Sequence, residues 1–281
     1  MKVTSALIGN ILTRTTGYLE TVSSHSAQPY RGCSLGRSLC GVGCYVRHNH
    51  HLTRGEEWGT FLEARENAGE SYLENCQVES RWARKHRGDF SIFLSSSTEP
   101  FVPQESRCGV TRALLSAMGE APPDVLIVQT HSHLVLDHLG QLQALGERCA
   151  LRVQVSIETD REELPGLPAP FSSIDSRFEA ARRLREAGIE TVVTVSPLLP
   201  IRDEEVFFER IAECADAVVL DHFIGGDGSP SGSRTRRTPL PAKMESLQPG
   251  STELSYRDRM VELARRRFRS EEHTSELQSR E

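Results

Sequence analysis

The sequence predicts an α/β protein arranged as a partial (β/α)6, TIM-like barrel. Short runs rich in β-branched and aliphatic residues alternate with helical patterns from residue 89 onward. A further apolar run precedes a glycine-rich cysteine loop, which brings the repeating strand–helix units to six. Six units are fewer than the eight that close a full barrel, so the sheet is expected to stay open.

The strands follow in order. The first is expected within residues 21–30. Residues 89–94 (DFSIFL) form the next and end in Ser95-Ser96-Ser97-Thr98-Glu99-Pro100. Residues 125–129 (VLIVQ) lead into Thr130-His131-Ser132-His133, and residues 151–157, 191–195 and 217–220 complete the set. Between them, residues 134–145 space Val135, Leu139, Leu142 and Leu145 as a helix does. Residues 176–187 do the same and stop at Gly188. Asp203-Glu204-Glu205 places acidic charge at a helix start, and residues 253–268 are amphipathic. Residues 58–66 fit either a strand or a helix, and residues 225–241 read as a loop with Arg234, Arg236 and Arg237.

Composition narrows the class. The 281 residues are 37% hydrophobic and 26% charged, which is ordinary for a soluble globular chain. A net charge of −6 gives no electrostatic case for general nucleic-acid binding. No apolar run reaches membrane-spanning length. Seven cysteines at irregular spacing argue against a secreted disulfide framework and for a cytoplasmic, reducing setting.

Three of those cysteines, Cys33, Cys40 and Cys44, fall within twelve residues that also hold Gly36, Gly41 and Gly43. Thiolates so close repel unless a soft metal or cluster neutralises them, and glycine lets the backbone turn tightly beside such a group. Three ligands without an evident fourth suit a [4Fe–4S] cluster with one iron open. The alternative is a structural zinc held by Cys40, Cys44 and His48, with Cys33 or His50 as the further ligand, in a non-catalytic α/β binding protein. Cys76, Cys108, Cys149 and Cys214 are scattered and read as packing residues.

The motifs, taken together, resemble the radical S-adenosylmethionine superfamily, closest to its spore photoproduct lyase-like branch, over about residues 26–225. The likeness rests on Tyr30-Arg31-Gly32-Cys33, the Ser95–Pro100 run with Pro103 and Glu105, Thr130-His131-Ser132 with Asp137, Ser156-Ile157-Glu158-Thr159, and Arg177 ahead of Gly188-Ile189, Pro197 and Pro200. The chain departs from the superfamily in cysteine spacing: six residues separate Cys33 from Cys40 and three separate Cys40 from Cys44. Tyr45 follows the last cysteine, where an aromatic residue more often precedes it.

The resemblance implies that Cys33, Cys40 and Cys44 bind three irons, and that S-adenosylmethionine chelates the fourth and yields a 5′-deoxyadenosyl radical. An external low-potential electron donor would be a partner. Ser96, Thr98 and Glu99 become candidates for the methionine amino group; Ser156, Glu158 and Arg177 for the ribose hydroxyls and carboxylate; Tyr45 for a further cofactor contact. His131, His133 and Asp221, at strand ends, are candidates for the substrate pocket, with His222 beside Asp221 at the end of the last strand. The substrate is open; nucleic acid is the branch's founding target and gains no support from charge. Residues 1–25 read as a lead-in, 26–225 as the core domain, 226–268 as a basic loop and terminal helix, and 269–281 (RSEEHTSELQSRE) as a non-native tail that looks like translated sequencing adapter.

Overall fold

Valine, isoleucine and leucine fill the central strands because both faces of the sheet are covered. Every side chain of Ser91–Leu94 is buried, and Val153, Val155, Val193 and Val195 are fully enclosed. The computed structural model describes residues 1–269. Residues 270–281, which carry nearly all of the adapter-like tail, lie outside them.

Among the described residues ten strands form two sheets: β1 (Lys2–Ala6), β2 (Leu12–Arg14), β3 (His25–Ala27), β4 (Tyr30–Gly32), β5 (Phe61–Arg65), β6 (Ser91–Leu94), β7 (Val125–Thr130), β8 (Ala150–Ser156), β9 (Glu190–Val195) and β10 (Ala217–Leu220). The larger sheet runs β10-β9-β8-β7-β6-β3-β2. Its six strands from β3 to β10 are parallel and lie side by side in chain order, and β2 joins antiparallel on β3. β2 and β10 are its two edges, so this sheet does not close into a barrel.

The connecting helices pack on their neighbours: Ala68–His86 on Val110–Glu120, Ile174–Glu186 on Glu204–Cys214, and Glu204–Cys214 on Leu254–Arg269. Successive crossovers that touch in this way lie on one face of the sheet. One apolar core joins that layer to the strands and reaches from Ile11 to Phe268.

Several expectations shift by a few residues for visible reasons. The first strand keeps only His25–Ala27. Pro29 has no amide to give the ladder, and Tyr30 crosses to the second sheet, β1-β5-β4, where it pairs with Ala64. The ambiguous stretch 58–66 is β5. The helix expected at 134–145 begins as a 3-10 turn, His133–His138, before Leu139–Gly146. The next starts earlier than the pattern shows, because the Ser173 hydroxyl caps it by accepting from the Ser176 amide at 3.1 Å. Asp203 caps Glu204–Cys214 in the same way. The expected loop 225–241 contains a 3-10 turn, Thr235–Arg237, and runs into the helix Leu240–Leu247.

Candidate functional site

Parallel strands in chain order send their C-terminal ends to one edge of the sheet. There Ser95–Glu99 follow β6, His131 follows β7, Glu158 follows β8, Ser196 and Pro197 follow β9, and His222 follows β10. All of them, with the three loop cysteines, line one cavity of about 180 Å³.

The cysteine loop is folded on itself by its glycines. A Cβ at Gly41 would overlap the Gly36 carbonyl, and one at Gly36 would come within 2.7 Å of the Gly59 backbone. These glycines therefore serve backbone-to-backbone packing of the loop on itself and on Gly59. Cys33 and Cys44 each precede a 3-10 turn, Ser34–Arg37 and Tyr45–His48, and Cys40 lies in the short helix Leu39–Gly43. The Glu99 amide donates to the Cys33 sulfur, and the Val46 and Arg47 amides donate to Cys44. Burial pushes both thiols up, Cys44 to about 12, and the nearby Cys40 sulfur raises each further. Three crowded sulfurs, two of them receiving amide hydrogen bonds, form a donor set that a thiophilic centre would stabilise.

The loop is tied to the β6 end. Tyr45 Oη donates to the Ser96 carbonyl at 2.7 Å. Ser96 Oγ accepts from Gln28, and Thr98 Oγ1 donates to Gln28 Oε1 and to the Tyr30 carbonyl. Glu99 accepts three hydrogen bonds: from Thr130 Oγ1 at 2.6 Å, the His131 amide at 2.8 Å and the Phe101 amide at 3.0 Å. Its burial still outweighs these donors and holds the carboxyl above its ordinary range. Ser95 sits in the left-handed region, at φ 71°, with a buried hydroxyl that has no partner.

A polar chain leads inward from Cys40. His131 hydrogen-bonds the Cys40 sulfur, and its Nε2 stands 3.1 Å from Glu158 Oε1. Burial alone would lower the imidazole; Cys40 and Glu158 hold it well above its usual value. Glu158 Oε2 accepts from Arg177 Nη1 at 2.7 Å, and Arg177 also reaches the Ser156 carbonyl. Arg177 thus pairs with neither Asp175 nor Glu179, which engage Arg210 and Arg182. Its Nε and Nη2 are buried without partners. A second cavity of about 10 Å³, lined by Cys40, His131, Glu158 and Arg177, lies beside them. That unpaired edge is the fork that a carboxylate takes.

Among the expected site residues, Cys33, Cys40, Cys44, Tyr45, Ser96, Thr98, Glu99, Glu158 and His131 therefore meet at the larger cavity. Ser156 lies outside it, bonded to Thr194 at 2.8 Å. Arg177 lines only the smaller one. His133 turns to Ser172 and stacks on Phe171. Asp221 is not in the lining, and its neighbour His222 is. Gln129, Asp227 and Thr235 line the cavity without having been expected, whereas His222 is the expected residue of the last strand's end that reaches it.

For zinc, a tetrahedral ion about 2.3 Å from each ligand needs its donors within about 4 Å of one another. Among the described residues no group of three or more His, Cys, Asp or Glu is placed to hold a metal ion. Burial, with the charges of Arg47, Arg237 and Arg234 near it, lowers the basicity of His48, and His50 is exposed.

No family model and no curated protein matches the sequence. Solved structures do. The chain is similar to a cysteine-to-serine variant of spore photoproduct lyase, with a TM-score of 0.62 and 14% identity over 99% of this chain and 82% of that one. Spore photoproduct lyase complexed with dinucleoside spore photoproduct matches with a TM-score of 0.61 and 15% identity over the same shares. A tyrosine-to-phenylalanine variant gives 0.62 and 13%. At these identities the likeness is one of fold: a mixed α/β chain on a parallel sheet.

Proposed function

We propose that the chain is a radical S-adenosylmethionine enzyme on an open (β/α)6 partial barrel, acting on a substrate still to be found. The observation that carries this reading is the convergence of Cys33, Cys40 and Cys44 on the cavity at the strand ends, in a fold shared with spore photoproduct lyase. In this reading the three thiolates hold three irons of a [4Fe–4S] cluster. The cluster and S-adenosylmethionine, when bound, supply reductive cleavage of the sulfonium bond to a 5′-deoxyadenosyl radical.

The chain's own groups do the rest. The Glu99, Val46 and Arg47 amides neutralise charge on the sulfurs. Glu99, Ser96 and Thr98 offer acceptor oxygens to an amino group. The free edge of Arg177, held by Glu158, offers two donors to a carboxylate. Tyr45 pins the loop over the β6 end. The helix Leu240–Leu247 covers the loop through Leu240, which would stand 3.1 Å from a Cβ on Gly43, and so limits water.

An external low-potential donor would supply the electron, and a reducing cytoplasm would preserve the thiolates. A nucleic-acid substrate, as for the relative solved with a dinucleoside photoproduct, has no support from the net charge of −6.

The test is anaerobic reconstitution with iron and sulfide, then reduction with S-adenosylmethionine present. Brown protein that releases 5′-deoxyadenosine is the expected result. Colourless protein carrying one zinc per chain would overturn the assignment.

A further inference from the structure

Four arginines stand beside the cavity without a carboxylate partner among the described residues. Arg47 follows Tyr45 and Val46, which line the cavity, and Arg234, Arg236 and Arg237 flank Thr235, which lines it too. Arg47 Nη1 donates to the Gly41 and Val42 carbonyls at 3.3 Å, Arg234 Nη1 to the Asp227 carbonyl at 3.4 Å, and Arg236 Nε to the Ser231 carbonyl at 3.1 Å. Carbonyls accept hydrogen bonds but leave the positive charge uncancelled. Elsewhere Arg84, Arg152 and Arg182 face carboxylates directly.

The two segments are far apart in sequence and meet at His48. Arg47, Arg237 and Arg234 all lie close enough for their charges to act on its half-buried ring. Local bonds fix the set. The buried Asp227 takes the Ser229 amide and hydroxyl on Oδ1 and the Thr235 amide on Oδ2, which ties down the turn Thr235–Arg237. The Arg236 guanidinium is spent on Phe223, 5.4 Å from the ring centre. Asp227 offsets one of the charges. Glu99 and Glu158 belong to the β6–β8 side of the cavity, beside His131. Tyr45 lines the cavity and is still 40% exposed, and Arg47 and Arg237 are exposed, so the cavity opens to solvent on this side.

Like charges gathered round an opening focus a positive potential on it. Guanidinium groups take a phosphate in paired hydrogen bonds. The net charge of −6 speaks against a long phosphate backbone and for a single group. We propose that the rim formed by Arg47, Arg234 and Arg237 binds the phosphate of a small phosphate ester, whose carbon skeleton enters the cavity toward the strand ends. As a statement about the substrate this rests on the radical-enzyme reading; the anion binding does not.

Titration calorimetry on the anaerobically reconstituted full chain tests this, with phenyl phosphate, phenol, inorganic phosphate and a ten-nucleotide oligothymidylate as probes. Phenyl phosphate should bind one per chain, at least tenfold more tightly than phenol and at least threefold more tightly than inorganic phosphate, because only the ester uses both rim and cavity. Arg237→Gln, which removes no hydrogen bond among the described residues, should weaken phenyl phosphate severalfold; adding Arg234→Gln should bring the loss to at least tenfold. Arg182→Gln, exposed and outside the cavity, should leave binding unchanged. Absence of saturable phenyl phosphate binding, phenol binding as tightly, affinity unchanged in Arg237→Gln, or an equal loss in Arg182→Gln would each overturn the proposal. Inorganic phosphate binding as tightly as the ester would overturn it as an adventitious ion only, and oligothymidylate binding more tightly than the ester would overturn it in favour of a nucleic-acid track. Iron content separates the two readings: protein without a cluster that still takes phenyl phosphate through Arg237 defeats the enzymatic assignment and leaves the rim standing.

Discussion

Arg177 Nη1 donates to Glu158 Oε2 at 2.7 Å, and the two side chains are 2% and 5% exposed. A helix residue and a strand-end residue are locked together behind the cysteine loop. Removing one partner strands a charge in the interior. Arg177→Met should therefore cost about 3–5 kcal/mol of stability, read as a lower urea midpoint. The double change Arg177→Met with Glu158→Leu should cost less than half of that, since no charge is left alone. A single variant as stable as the wild type would show that water reaches the pair.

The same pair sets an acid limb. Burial would raise the Glu158 carboxyl, but Arg177 and His131 overcome that and hold it well below the usual 4.5. The folded state thus binds this proton less readily than the unfolded chain. The stabilisation is complete above about pH 4.5 and is lost as pH falls through the lower folded value. Glu99, held above its usual range, acts in the opposite sense and is common to both proteins. From pH 6 to pH 3 the wild type should lose more stability than the double variant, measured by urea unfolding at each pH. Parallel curves would refute the coupling.

Much of the sheet was legible because buried parallel strands are written as unbroken apolar runs: VLIVQ and TVVTV fall on β7 and β9. The helix Ala68–His86 was not, since its exposed face carries Glu70, Glu74, Arg81 and Lys85 and only a narrow stripe with Ala68, Tyr72 and Ala83 is buried. The site was legible where chemistry is local. The cysteine run and Ser95–Glu99 announce themselves in a few residues. Arg177 was expected to bind a ligand, and its bond to Glu158 spans a strand end that no spacing reveals. Gln129 and Asp227 reach the cavity through tertiary placement alone.

Gly41 makes the loop's closure testable. A methyl there would overlap the Gly36 carbonyl, while one at Gly9 would meet nothing within 4 Å. Gly41→Ala should cost about 1–3 kcal/mol through overpacking and backbone shifts. It should also displace Cys40 next to it, so that reconstituted iron falls severalfold. Gly9→Ala should leave iron content unchanged. Thermal unfolding and iron analysis on both proteins decide the point; equal iron in the two would mean the loop relaxes freely.

The four cysteines outside the loop supply the control for the three inside it. Cys108 and Cys214 pack against the main core, Cys214 nearly enclosed, and neither lines the cavity. Cys33 is buried and Cys44 half-buried, and both receive backbone amide hydrogen bonds. As plain packing groups the loop thiols would be replaceable by alanine at a cost of about 1 kcal/mol each, with nothing else lost. As ligands they are not: each of Cys33→Ala, Cys40→Ala and Cys44→Ala should cut reconstituted iron and brown absorbance at least tenfold. Cys108→Ala and Cys214→Ala should keep both. Iron retained in all three loop variants would leave the cavity without its proposed chemistry.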